Sequence, residues 1–300
     1  MTATTAPRVA AASPLATWKD VLLLAKPRLS GLVVLTTAGG LALAPGRIGL
    51  ARGILAILGV AAVVGAANAL NEYAEREIDG RMHRTRDRPL PAGRVDPFVA
   101  LALGLMIPAF ALPVLALVAN PLTALLAFLA LAIYVGVYTP MKQRSTLALL
   151  VGAVPGAIPP LMGWTAVTGQ IDAGGYVLFA ILFLWQIPHT IAIGLFRKDE
   201  YAAAGLKTVS IERGEDSSRL QIVLYLVALV PMTLLPFQLR IAGAWYLAAA
   251  VVLGLSFLGL GATGLFRSLG RPWARQTFLF SLLYLAGLFA ALMLDSGGHG

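Results

Sequence analysis

Apolar residues run along this chain in long blocks, not in the apolar–polar alternation of a half-buried strand. Nine blocks stand out, near residues 28–45, 52–70, 97–118, 121–138, 146–167, 175–196, 219–237, 243–265 and 276–294. A helix that crosses a bilayer needs about 20 mostly apolar residues, whereas a strand of a membrane barrel needs only about 10. Inside lipid, a helix satisfies its own backbone hydrogen bonds. The pattern therefore predicts an all-α, polytopic membrane protein with nine transmembrane helices. Internal prolines at 108, 113, 155, 159, 160 and 188 are expected to kink or break their helices. The fifth span combines Pro155, Pro159 and Pro160 with Gly152, Gly156 and Gly163, so it is expected to be the least regular. Residues 1–20 are mostly small and polar and lack the apolar core of a secretory signal. They are expected to form a disordered tail, followed by a single membrane domain over 21–295 and a frayed end over 296–300.

Composition agrees. Of the 300 residues, 58% are hydrophobic and only 12% charged, against roughly 45–50% and 25% in a soluble domain. Disorder is excluded by the same figures. The absence of cysteine removes disulfides, thiolate metal sites and cysteine nucleophiles. The net charge of +9 suggests nucleic acid only until the bases are located. With nine spans, 20 of the 23 Lys and Arg residues fall on one side of the membrane, leaving Arg47, Arg52 and Arg240 on the other. The positive-inside rule then places the N-terminus in the cytoplasm and the C-terminus outside.

Eleven of the 14 acids lie in two cytoplasmic links. In the first, Asn71, Glu75 and Asp79 are four apart and share one face if the second span continues as a helix. Three oxygen ligands at a membrane surface suit Mg²⁺, which takes one or two carboxylates plus phosphate oxygens, and the following arginines can clamp a phosphate. A solvated, salt-bridged helix end explains the same spacing equally well, and Glu72, Arg76 and Glu77 on other faces fit that reading. In the second link, Asp199 and Glu200 are either a second metal site or an ordinary loop pair with Arg197 and Lys198. Gln186, His189 and Thr190 interrupt the sixth span. An ionisable residue within a span is a functional candidate, and the alternative for His189 is a hydrogen bond to a neighbouring helix. Lys142 and Arg144, after Tyr138-Thr139, are either diphosphate ligands or membrane anchors. No phosphate-cradling glycine loop, nucleophile elbow or zinc-protease motif is present.

These motifs together resemble the protoheme IX farnesyltransferases (heme O synthases) of the UbiA-type intramembrane prenyltransferase superfamily. The resemblance covers residues 22–295. It rests on Lys26-Pro27-Arg28, on Asn71-x-x-x-Glu75-x-x-x-Asp79 with Met82, Arg84-Thr85 and Arg88-Pro89-Leu90, and on Tyr138-Thr139 with Lys142. Further along it rests on Pro159-Pro160-Leu161-x-Gly163-Trp164, Trp185-Gln186-x-Pro188-His189, Glu200-Tyr201-x-x-Ala204-Gly205 and Arg275-x-x-Phe278-x-x-Ser281-Leu282-x-Tyr284. The chain departs from the family pattern at Glu75 and Glu200, where Asp is usual, at Gln143, and after Gly205.

The resemblance implies nine helices around a central cavity in a bacterial-type cytoplasmic (inner) membrane. It implies farnesyl transfer from farnesyl diphosphate to a vinyl group of heme b, giving heme O with release of diphosphate, for maturation of heme-copper oxidases. It carries Mg²⁺ onto Asn71, Glu75, Asp79 and Asp199 or Glu200. The catalytic set so implied is Asn71, Glu75, Asp79 and Glu200. Diphosphate falls to Arg28, Arg84, Arg88, Lys142 and Arg197, and heme to Trp185, Gln186 and His189. Candidate partners are the lipid bilayer and heme A synthase or oxidase assembly proteins, with no nucleic acid. Two rival readings keep the acids or the broken helices. One is a prenyltransferase for an aromatic quinone precursor; the other is a non-catalytic transporter or heme-handling assembly factor. Against a transporter stand the one-sided acids and the lack of an internal repeat.

Overall fold

A computed structural model describes residues 17–266 and 269–296. The described residues are helices and connecting turns. In chain order these are α1 (Trp18–Leu24), α2 (Pro27–Leu43), α3 (Leu50–Asp79), α4 (Pro97–Val118) and α5 (Pro121–Ala132). A π-helical segment (Ile133–Tyr138) and α6 (Thr139–Met141) then complete one continuous rod with α5. Next come α7 (Ala148–Thr168), α8 (Ala173–Phe196), the short α9 (Lys198–Ala203) and α10 (Val209–Glu212), α11 (Gly214–Met232), α12 (Leu235–Gln238), α13 (Ala244–Phe266) and α14 (Gly270–Asp295). The first helix begins at Trp18, within the stretch expected to be a tail; residues 1–16 and 297–300 lie outside the described residues.

Among the described residues, eight helices are long and apolar enough to cross a membrane. The remaining apolar block forms α2, which is 17 residues long. Helix starts follow local chemistry. Asp96 and Asn120 accept hydrogen bonds from the backbone of Phe98 (2.7 Å) and Thr123 (2.9 Å). In both cases proline follows at the first helical position, where no N–H is needed. Asp172 caps α8 in the same way, accepting from Gly174 and Gly175.

The expected proline breaks do not occur. Helices α4, α7 and α8 each run through their internal prolines, and the least regular span is the fourth, with its π-helical turn, not the fifth. The reason lies in packing. Helix α7 is the most enclosed of the eight spans. It contributes Ala153, Ala157 and Trp164 to the apolar core shared by α8, α11, α13 and α14. Its other face gives Ile158, Leu161, Met162 and Ala166 to the core of α3, α4 and α5. Neighbours on both sides keep a proline-rich helix unbroken where its own hydrogen-bond ladder is incomplete. Against α2 the fit is backbone to backbone: a Cβ on Gly40 would strike Pro160, and one on Gly163 would strike the Thr37 carbonyl. Small residues permit such an approach between membrane helices.

Candidate active site

Helix α3 continues past its apolar part to Asp79, so Asn68, Asn71, Glu72, Glu75 and Asp79 form one buried stripe at helical spacing. Buried charges must be paired, and each acid on this stripe meets a base from another element. Lys142 donates to both Glu75 carboxylate oxygens at 3.1 Å. The Arg88 guanidinium donates to Asp79 Oδ2 at 2.6 Å and lies 3.8 Å from Glu72. The Lys26 ammonium donates to Asn71 Oδ1 at 2.7 Å and lies 4.0 Å from Glu72.

Two irregular backbone features set these partners. Lys26 occupies the left-handed region (φ 49°, ψ 63°), which is strained for a residue with a side chain. The turn is held by Ser30 Oγ donating to the Ala25 carbonyl (2.6 Å) and by Asn68 donating to the same carbonyl (3.1 Å). The strain aims the ammonium at the α3 stripe. Burial lowers the Lys26 ammonium to about 8, with the neighbouring Arg88 charge acting in the same direction. The second feature is the π-helical turn, a type often found at functional sites. It stacks Tyr134 on Tyr138 with ring centroids 5.4 Å apart. It is locked by Thr139, whose hydroxyl donates to the Tyr134 carbonyl (2.8 Å) and accepts from Asn71 (3.1 Å).

The stripe forms the polar end of a cavity of about 510 Å³. Lys26, Asn71, Glu75, Asp79, Arg84, Arg88 and Lys142 line that end; Val60, Val63, Ala127 and Met162 are part of its apolar wall. Trp185 and Gln186 line it from α8, with Tyr134 and Tyr138 opposite. The second link closes the polar end with Tyr201, Leu206, Lys207 and Thr208. A small apolar cluster of Met82, Ala204 and Leu206 ties the two links together, and the Lys207 N–H donates to the Lys142 carbonyl at 3.2 Å, joining the second link to the loop after α6.

The remaining residues singled out from sequence lie elsewhere. Asp199 is exposed and ion-paired with Arg271. Glu200 pairs with Arg197 at 2.9 Å, and its other carboxylate oxygen is buried without a partner. None of these three expected residues, Arg197, Asp199 and Glu200, is part of the cavity lining. His189 faces α14, where Nδ1 lies 2.6 Å from Ser281 Oγ; the interhelical hydrogen bond weighed for it is therefore formed. The Arg28 side chain falls outside the described residues. Conversely, sequence reasoning left Lys26, Glu72 and Tyr134 out of the site. For Glu72 the signal was present in the 68-71-72-75-79 periodicity.

Among the described residues, no three His, Cys, Asp or Glu side chains converge into a metal-binding group. The carboxylates that face the cavity sit on successive turns, each held by a base. That donor set suits a hard cation that shares its coordination with phosphate oxygens, as Mg²⁺ does.

A charged, cation-rich mouth over an apolar chamber within a helical membrane bundle is the arrangement of a prenyl-diphosphate enzyme, and the comparisons agree. Residues 33–294 match the model of the UbiA prenyltransferase family, and the chain belongs to that family. Its relatives include a protein named protoheme IX farnesyltransferase from Myxococcus xanthus (strain DK1622), 66% identical over 92% of this chain and 94% of that protein. Another of the same name, from Anaeromyxobacter sp. (strain Fw109-5), is 64% identical over 99% of this chain and 100% of that one. Among solved structures, one described under the biosynthesis of digeranylgeranylglyceryl phosphate synthase in membranes has the same fold, with TM-score 0.80, 19% identity and coverage of 93% and 98%. A UbiA homolog from Archaeoglobus fulgidus bound to GPP and Mg²⁺ matches with TM-score 0.63, 16% identity and coverage of 91% and 99%.

Proposed function

We propose that the chain is a protoheme IX farnesyltransferase, joining the farnesyl group of farnesyl diphosphate to a heme b vinyl group to form heme O. The observation that carries this reading is the cavity with a base-rich, acid-striped mouth and an apolar chamber, in a chain 66% identical to a protein of that name. The diphosphate sits at the mouth and the farnesyl chain in the apolar chamber. Lys26, Arg88 and Lys142 neutralise Glu72, Glu75 and Asp79. When the diphosphate enters, these bases turn toward its oxygens, with Arg84 beside them. Asn71, Glu75 and Asp79 are then free to hold Mg²⁺; a UbiA homolog of the same fold is bound to GPP and Mg²⁺. Bound there, Mg²⁺ supplies further neutralisation of the departing diphosphate.

The bases stabilise negative charge as the allylic C–O bond breaks, and the apolar wall keeps bulk water from the allylic cation. The heme vinyl group attacks that cation, and water captures the resulting benzylic-type centre with loss of a proton, leaving the hydroxyethylfarnesyl chain. We further propose that α2 completes a nine-helix bundle in the cytoplasmic membrane, N-terminus inside, with the site on the cytoplasmic face. Expression in a bacterium lacking heme O synthase, followed by heme extraction and mass spectrometry, tests the reading. Heme O is the expected product. A prenylated aromatic product with no heme O would support the quinone-precursor alternative.

A further inference from the structure

Helix α1 takes no part in lining the cavity, and its two sides are unlike. One side is bound to the protein. Leu24 is buried against Ala69, Leu90, Val95 and Ala100. The Asp20 carboxylate accepts from the Arg94 guanidinium at 2.8 Å, and the same guanidinium donates to the Asp87 carbonyl at 3.0 Å, next to Arg88 in the chain. Lys26 follows the end of α1 by two residues. Helix α1 therefore joins the two segments that carry the mouth bases Lys26 and Arg88.

The other side turns apolar groups outward. Trp18 is 70% exposed, Leu22 one turn on is exposed with it, and so is Leu23. Lys19 is exposed as well, its ammonium 5.7 Å from the centroid of the Trp18 ring. At ~1.5 Å per residue these seven residues extend roughly 10 Å, too short to cross a bilayer. Tryptophan, leucine and lysine on the outer side of a short helix are the marks of one that lies in a membrane surface: the indole and the leucines enter the acyl boundary while the ammonium stays among the phosphates. The chain continues from there into α2, which exposes Leu32 and Leu35 along its apolar length. The lipid surface that covers those leucines is thus the occupant that suits the outer side of α1.

We propose that α1 is seated in the head-group layer of the membrane, with Trp18 and Leu22 in the acyl boundary, and that this seating sets the depth at which Lys26 and Arg88 meet a diphosphate carried on an isoprenoid tail. The proposal rests on the substrate reading above, and its test keeps the two apart because no product is measured. The full-length protein is placed in phosphatidylcholine–phosphatidylglycerol nanodiscs whose acyl chains are brominated either next to the head group or at the far end. Subtracting the tryptophan emission of Trp18→Phe from that of the unaltered protein isolates Trp18. Its emission is quenched by bromine near the head group and little by bromine at the chain end. Emission quenched by neither overturns the seating, and so does stronger quenching from the chain end, which puts α1 in the hydrocarbon core. In the same discs, Trp18→Gln combined with Leu22→Gln weakens the binding of farnesyl diphosphate about three- to tenfold, the scale of a few ångströms of displacement against the bilayer. Binding of inorganic pyrophosphate, which arrives from water, is unchanged. Full farnesyl diphosphate affinity in the double variant overturns the effect on depth, and an equal loss of both ligands marks α1 as a packing element alone. Failure of the unaltered protein to bind farnesyl diphosphate overturns the substrate reading and with it the effect on depth, while the quenching still decides where α1 lies.

Discussion

The two acid-rich links are almost equally acidic, but they use their acids in opposite ways. In the first, Glu72, Glu75 and Asp79 are buried on one face of a long helix and each is matched to a base from another element. In the second, the Asp199 side chain is 75% exposed and pairs with an exposed arginine. There it is Tyr201, Leu206 and Lys207 that face the cavity. The difference is one of support. Helix α3 runs for 30 residues and buries its stripe against other elements, whereas α9 is six residues long and leaves Asp199 turned outward. Charge density along a sequence therefore marks both links, but only burial against a partner marks chemistry.

The strongest challenge to this contrast is Asp79→Asn. Heme O formation from heme b and farnesyl diphosphate in isolated membranes is expected to fall at least about 100-fold, the scale of losing one charge-stabilising group. A wild-type rate would remove the first link from the site. Next comes Lys142→Met. Activity drops about tenfold or more, and the buried Glu75 carboxylate loses its partner, costing about 1–3 kcal/mol. Adding Glu75→Gln should restore the thermal unfolding temperature in detergent without restoring activity; recovery of both would make the pair purely structural.

Lys26 sharpens the picture through pH. Its ammonium is held at about 8, so it is largely charged at pH 7 and becomes neutral as pH rises through that value. Attraction for the diphosphate is present below about 8 and lost above it. The KM for farnesyl diphosphate should rise severalfold between pH 7 and 9, and Lys26→Arg should flatten the profile. A KM that falls over this range would exclude Lys26 from the diphosphate site. The smallest effect belongs to the second link. Asp199→Asn removes only an exposed ion pair, of the kind worth about 0–1 kcal/mol, and turnover should stay within about twofold. A loss comparable to that of Asp79→Asn would make the two links equal partners after all.

Much of the architecture was readable from local chemistry. Apolar runs bounded by Asp96-Pro97, Asn120-Pro121 and Asp172 foretell where spans begin, because caps and prolines act within a few residues. Asn71, Glu75 and Asp79 were legible for the same reason. What escaped depends on contacts between distant segments. Lys26 reaches the stripe through a left-handed turn braced by Asn68, 42 positions later in the chain. Tyr134 faces the cavity from a π-helical turn whose lock is a bond from Asn71. The regularity of α7 comes from helices on both flanks, which proline positions alone do not reveal. Likewise, the motif containing Asp199, Glu200 and His189 does not say which way each side chain points.

The brevity of α2 carries a consequence for the surrounding lipid. Helix α2, Pro27–Leu43, has 17 residues and spans roughly 25 Å at ~1.5 Å per residue, against a hydrocarbon layer of about 30 Å. Leu35 on this helix is 48% exposed. A short apolar helix thins the bilayer beside it or draws flanking polar groups inward. Head groups would therefore sit deeper along α2 than around the rest of the bundle, beside the polar end of the cavity. A diphosphate carried on an isoprenoid tail travels at head-group depth, so this dimple in the membrane surface brings it level with its binding groups. Turnover in vesicles of defined acyl length would then depend on bilayer thickness as well as on substrate concentration.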